Sequence, residues 1–283
     1  MKNIVLENAV LRVELSPKGA EMRSILKKDT GKEQLWYGDP AVWADRSPWL
    51  FPLIGQLRNN VYCVNGQSYT MPMHGFASSA LFRAEQHSAS EAEFILDATD
   101  ETLLLFPWRF ELRIVYRLDD NCLHIDCSVH CLDDEDMYFS FGAHPGFLCQ
   151  PGDTVTFTAD TKLVCQRLED GSHLLLPDTV EIVPSVVLKE ELFDDDAMLL
   201  RAPQSKTAVL NRADGTGVRF SYGQAAWVGL WSRKRAGLPY ICIEPWHGVD
   251  DPVDATGKME DKLDIVHLPA GEVFTMQLCI EPF

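Results

Sequence analysis

The chain has 283 residues, with 42 Asp and Glu against 25 Lys and Arg, a formal net charge of −17 at pH 7 with His neutral. At 46% hydrophobic and 24% charged residues it has ordinary globular composition, neither disordered nor fibrous. The negative charge disfavours nucleic-acid phosphates and anionic membrane surfaces as partners.

At the start of the chain, Lys2 comes before any long apolar run, which is not the pattern of a secretory leader. The longest apolar stretches, Pro48–Gly55 and Leu103–Trp108, fall far short of the ~20 residues that span a bilayer. The expectation is therefore a soluble cytoplasmic protein. In chain order, Cys63–Tyr69 reads as a tight hairpin, because Asn65-Gly66 accepts the positive φ angles of a type I′ turn. Leu81–Leu96 and Phe110–Leu118 alternate apolar and polar residues. Leu123–Cys131 does so without a break, as a strand with one wet face must. Asp170-Gly171 and Asp214-Gly215 mark further turns. Helical pattern is scarce: Lys189–Asp195 is long enough for one turn or a short helix. The acidic clusters Asp133–Asp136, Asp194–Asp196 and Asp250–Asp254 read as solvated loops. Strands that do not alternate with helices predict an all-β fold of antiparallel sheets packed as a large sandwich. With no internal repeat and no Pro/Gly/Ser-rich linker, residues 1–283 read as one domain.

The eight cysteines form no C-x-x-C pair, so they predict neither a zinc knuckle nor a disulfide framework. They read as small buried hydrophobes in a reducing compartment. The nearest approach to a metal cluster, Cys127, His130 and Cys131, cannot converge within a strand, where His130 points to the opposite face. No metal site is expected.

Three segments set an ionisable side chain among Pro, Gly and aromatic residues. In Phe139–Phe147, His144 precedes Pro145, which restricts its backbone and removes a ladder donor, while Gly142 and Gly146 permit close approach. His144 is either an acid or base at the mouth of a site or a histidine bonded at a structural turn. In Tyr240–Gly248 an apolar strand runs into Glu244, whose burial calls for a partner and raises its pKa if no cation supplies one. That setting suits a general base near neutral pH; the alternative is a structural carboxylate paired with an arginine. Pro245 is expected to end the ladder, and Trp246 adds a flat apolar surface. In the third, Pro48–Asn60 followed by Met71–Ala77, Arg58 closes an apolar stretch and His74 stands between Pro72 and Gly75. Arg58 has the fork to bind sugar hydroxyls or a carboxylate, and His74 to donate to a ligand oxygen; either also fits a structural role. A Glu, two His and an Arg among Trp and Phe match a pyranose, whose apolar face packs on aromatic rings while its hydroxyls meet polar groups. With no G-x-G-x-x-G, Walker loop or nucleophile elbow, nothing in the pattern asks for a cofactor.

LFPLIGQLRN (50–59), MHGFA (73–77), FSFGAHPGF (139–147) and ICIEPWHGVDD (241–251), in that order and spacing, resemble the aldose 1-epimerase (galactose mutarotase) family, most closely its LacX-like branch. The resemblance covers Leu11 to Phe283. It implies a single galactose mutarotase-like β-supersandwich whose open face binds a hexose. It also implies acid/base opening and reclosure of the sugar ring, with Glu244 as the base and His144 as the acid. His74 and Arg58 would hold the ring oxygen and hydroxyls, and Trp246 would line the sugar. The family's further substrate-binding Asp falls among Asp194, Asp195 and Asp196, with Asp196 preferred. The expected partner is a small-molecule hexose, without nucleic acid or membrane, and the protein a monomer or homodimer. Three other readings stand beside it. A hexose-6-phosphate epimerase would draw on Arg46, Arg58 and the Arg233–Arg235 run, which reads more naturally as a solvated turn. A non-catalytic sugar-binding protein would use the same lining, and a glycosidase would need a second well-placed carboxylate.

Overall fold

A computed structural model describes residues 2–169 and 171–283. Two large antiparallel sheets face each other. One has nine strands in the order Ser185–Val187, Thr154–Thr156, Thr207–Asn211, Gly217–Ser221, Val273–Pro282, Cys122–Cys131, Phe110–Asp119, Glu91–Asp97, Arg83–Gln86. The other has eight, ordered Leu175–Ile182, Leu163–Leu168, Met198–Arg201, Trp227–Trp231, Tyr240–His247, Phe141–Ala143, Trp49–Leu50, with Gly146–Leu148 also paired to Tyr240–His247. A four-stranded sheet at the N-terminus, Ile4–Glu33, adds to the same apolar core. The predicted sandwich of antiparallel sheets is therefore the observed architecture. Among the described residues no helix is long and apolar enough to cross a membrane.

Strict alternation in Cys122–Cys131 and Phe110–Asp119 becomes strict alternation of burial, one face on the core and one wet. Cys127 and Cys131 are buried and His130 faces outward, as the strand period requires. The sheets meet through aromatic pairs. Phe147 lies 5.7 Å from Phe220, Phe51 lies 4.8 Å from Phe110, and Trp49 Nε1 donates to Tyr116 Oη at 2.8 Å. Burying each such ring stabilises the fold by about 1.5–3 kcal/mol.

The hairpin at Asn65-Gly66 forms as expected, with both turn residues at positive φ (49° and 79°) and Val64 paired to Gln67. Asp214-Gly215 likewise joins two paired strands, Thr207–Asn211 and Gly217–Ser221. Asp170 lies outside the described residues, but the strands on either side of it pair. Several readings are corrected. Leu81–Leu96 is two strands, Arg83–Gln86 and Glu91–Asp97, paired through a turn. Within Lys189–Asp195 the expected turn is present as a single 3₁₀ turn at Glu190–Phe193, whereas a helical turn at Asp100–Leu103, held by the Thr99–Thr102 capping box, is unexpected. Asp250 and Asp251 are buried rather than solvated. Cys127, Cys131 and Cys242 are buried, but Cys63, Cys122, Cys149, Cys165 and Cys279 are half-exposed.

Candidate active site

The strand Tyr240–His247 is buried on both faces, which is why it reads as an apolar run. Its odd positions Ile241 and Ile243 join the core between the two sheets. Its even positions point the other way, and Glu244 and Trp246 line a cavity of about 780 Å³. Leu50, Leu199 and Trp231 from the same sheet, with His144, complete the floor. Pro245 does not end this strand. The partner strand breaks off between Gly142 and Gly146, opposite Pro245, and a break in the ladder tolerates a residue without an N–H. His144-Pro145 occupies that break, which turns the imidazole toward Glu244.

The glycines noted beside His144 admit protein rather than ligand. A Cβ on Gly142 would lie 2.4 Å from Trp246 Cδ1, and one on Gly146 2.8 Å from Trp43 Cζ3. Across the ladder, Gly229 faces Glu244, where a Cβ would lie 3.3 Å from both Glu244 Cβ and Trp246 Cη2. Gly142→Ala is therefore expected to cost about 1–3 kcal/mol through overpacking, read as a lower melting temperature. Unchanged melting would mean that Trp246 is free to move.

His144 Nε2 lies 3.1 Å from Glu244 Oε2, and both side chains are buried. Burial pushes Glu244 well above the ordinary carboxylate value, reinforced by the charges of Asp196 and Asp250. Burial also pushes His144 well below the ordinary imidazole value, reinforced by His74. The low-polarity wall is aromatic: Trp43 lies 5.2 Å and Trp231 5.6 Å from the His144 ring. Glu244 Oε2, His144 Nδ1 and Trp246 Nε1 are buried without a hydrogen-bond partner, so the close His–Glu contact leaves polar atoms for a ligand.

His74 lies 5.8 Å from His144, ring to ring, at a positive φ of 64°. The Gly55 N–H donates to His74 Nδ1 at 3.1 Å, which places the imidazole proton on Nε2 as a donor. Burial lowers its pKa to about 4, so it is neutral at pH 7. Asp196 also lines the cavity at positive φ, 75°, and its Oδ2 contacts His173 Nδ1. Asp194 and Asp195 line the cavity too but are exposed, whereas Asp196 is half-buried. His74, His173 and Asp196, all left-handed, line the same cavity.

The structure thus brings Glu244, His144, His74, Asp196 and Trp246 together. It does not bring Arg58 to them. Arg58 starts a 3₁₀ turn whose next two residues, Asn59 and Asn60, are left-handed, and its guanidinium donates to the Ala255 carbonyl away from the cavity lining. Arg233, Lys234 and Arg235 do occupy an exposed turn, and that turn borders the cavity. Sequence reading missed Trp43, Trp231, His173 and Asp250. Asp250 carried a signal, since it follows Glu244 in the same motif. Its Oδ1 accepts the Gln56 N–H at 2.6 Å, and burial raises its pKa to about 6.

Residues 2–274 match the family model described as Aldose 1-epimerase. The chain is 30% identical to the chromosomal LacX protein of Lactococcus lactis subsp. lactis over 278 residues, 92% of each chain. Among solved structures it is similar to a galactose mutarotase related enzyme from Lactobacillus acidophilus, with TM-score 0.95 and 30% identity over 100% of this chain and 97% of that one. It is also similar to a galactose mutarotase-like protein from Lactobacillus casei ATCC 334, with TM-score 0.91 and 25% identity over 100% of both. The galactose mutarotase-like fold and the matched motifs agree along the length of the chain, which belongs to the aldose 1-epimerase family.

Proposed function

We propose that the protein is an aldose 1-epimerase that interconverts the α and β anomers of a free hexose. The observation that carries this reading is the buried His144–Glu244 pair, 3.1 Å apart on the floor of an aromatic-walled cavity. Glu244 takes the proton from the anomeric hydroxyl while His144 gives one to the ring oxygen, and the C1–O5 bond breaks. The C1–C2 bond of the open aldehyde rotates. On closure from the other face, Glu244 returns its proton to the new hydroxyl and His144 recovers its own from the ring oxygen. The pair ends as it began. His74 Nε2–H and Asp196 meet sugar oxygens, and Trp246, with Trp43 and Trp231, faces the apolar side of the ring. The same reading treats the chain as one sugar-binding unit, supported by an apolar cluster continuous from Leu6 to Ile280.

The working state carries one exchangeable proton on the pair; burial rests it on Glu244, and the reaction starts once it has crossed the 3.1 Å contact to His144, leaving Glu244 ionised as the base. A second proton enters only below the lowered pKa of His144, and the last leaves above the raised pKa of Glu244. kcat/KM plotted against pH is therefore a broad bell whose limbs belong to the pair. Polarimetry on α-D-glucose and α-D-galactose tests the activity. Faster rotation change is expected, and no acceleration with any hexose removes the reading. A hexose 6-phosphate is a second reading, favoured by the Arg233–Arg235 turn at the cavity border. Stronger acceleration of the phosphorylated sugar than of the free one would select it. Against it stand seven acidic residues on the cavity wall, among them Glu169, Asp194 and Asp195, and the overall charge of −17.

A further inference from the structure

On the outer face of the nine-stranded sheet, the strands Cys122–Cys131 and Val273–Pro282 present polar side chains: Asp126, Ser128 and His130 from one, Thr275 and Gln277 from the other. At one end this pattern gives way to two thiols and an imidazole. The ladder pairs His124 with Cys279, and Cys122 projects from the same face two residues before His124. The Cys122 and Cys279 sulfurs and a ring nitrogen of His124 all lie within 4.8 Å of one another, and all three side chains are half-exposed. We propose that Cys122, His124 and Cys279 bind one thiophilic divalent ion of the zinc type, far from the sugar cavity, with water in the fourth position.

The donor set is the reason. Two thiolates and an imidazole are the ligands a tetrahedral d¹⁰ ion prefers, and three protein ligands leave one position open. With Zn–S of ~2.3 Å and Zn–N of ~2.0 Å, donors at the corners of the tetrahedron lie about 3.5–3.8 Å apart. The present separations are all within 4.8 Å, so binding has to draw the donors together by no more than about 1 Å. The backbone beneath is rigid, since both strands are paired on both sides in the middle of the sheet. The charged neighbours have partners of their own. Glu281 is held by Arg219 and, at 3.1 Å, by Asn121, while Arg117, opposite His124 on the next strand, turns to Asp126 at 3.8 Å. Binding replaces two thiol protons with one divalent cation, so the site as a whole is neutral. Cys122 and Cys279 are diagonal rather than directly opposite, which suits a shared ion better than a disulfide.

Cobalt(II) alone is the probe. The full chain, kept reduced with a phosphine and stripped with a chelator, is titrated with Co²⁺ and then with Zn²⁺. One equivalent of Co²⁺ is expected to give thiolate-to-cobalt charge transfer in the near ultraviolet and intense four-coordinate d–d bands, both abolished by one equivalent of Zn²⁺. Cys122→Ser and Cys279→Ser are each expected to lose the charge-transfer band. Cys242→Ser keeps it, which separates this site from the buried His144–Cys242–Glu244 cluster. If a serine variant does not fold, Zn²⁺ protection of Cys122 and Cys279 from alkylation in the wild type, mapped by mass spectrometry, locates the ion. The proposal is overturned if folded wild type shows no charge transfer at stoichiometric metal. It is also overturned if the band survives both serine substitutions, if Cys242→Ser removes it, or if Zn²⁺ leaves the two thiols unprotected.

Discussion

Under the proposed mechanism, Glu244→Gln is expected to slow anomer exchange by about 10²- to 10⁴-fold, the usual loss when a positioned proton acceptor is removed, while the fold survives. Gln keeps the shape and a carbonyl oxygen beside His144 but takes no proton from the anomeric hydroxyl. Anomer exchange followed by NMR at saturating sugar reads the loss in kcat, and residual exchange within threefold of wild type would remove Glu244 from the chemistry. The same variant carries a stability signature. The folded pKa of Glu244 is raised by burial above the unfolded value of about 4.3. The stabilisation that goes with the protonated form is therefore complete below about pH 4 and is lost as pH rises through the folded pKa. Gln cannot ionise and suffers no such loss. The variant is thus expected to melt higher than wild type at neutral and alkaline pH, with the gap closing toward pH 4. A variant that melts lower at pH 8 would mean that the carboxylate is stabilised in the site by groups other than those described.

The burial that drives the pKa values of Glu244 and His144 in opposite directions also makes both residues legible in the sequence. Each precedes a proline inside an otherwise apolar run, and such a residue is costly to bury unless it has work to do. Trp246 is legible because it follows in the same motif. The strand grammar carries the sandwich for the same local reason: period-2 alternation is written in neighbouring residues. What escapes such reading is non-local. Trp231 reaches the cavity only because Trp227–Trp231 pairs with Tyr240–His247, and His173 only because its loop meets Asp196. Arg58 falls outside the site because two left-handed asparagines redirect the chain after it. The rule that proline ends a ladder fails at Pro245 because the break that accommodates it lies in the partner strand. The acidic run at Asp250 and Asp251 reads as solvent-facing because its cation, Lys262, arrives from a later 3₁₀ turn.

That cation supports the second large effect, a loss of about 3–5 kcal/mol in Lys262→Met. Lys262 Nζ donates to Asp251 Oδ1, and the two side chains are only 4% and 2% exposed. Asp251 also accepts the Arg58 N–H at 3.0 Å and donates its own N–H to the Gln56 carbonyl at 2.9 Å, while Asp250 accepts the Gln56 N–H. Lys262 therefore anchors the segment after the Glu244 strand against Gly55–Arg58, the segment whose Gly55 N–H orients His74. Methionine fills the volume but strands a buried carboxylate, and removing one partner of a buried pair costs more than removing both. Adding Asp251→Asn, which keeps an acceptor for the Arg58 N–H without the charge, is expected to restore much of the loss, and a double-mutant cycle measures the coupling. Because one segment lines the cavity through Asp250 and the other orients His74, KM for the proposed hexose substrate is expected to rise in the single variant and recover in the double. Chemical denaturation that places Lys262→Met within about 1 kcal/mol of wild type, the range of an exposed pair, would show that solvent reaches Asp251 and that the clamp does not hold the site.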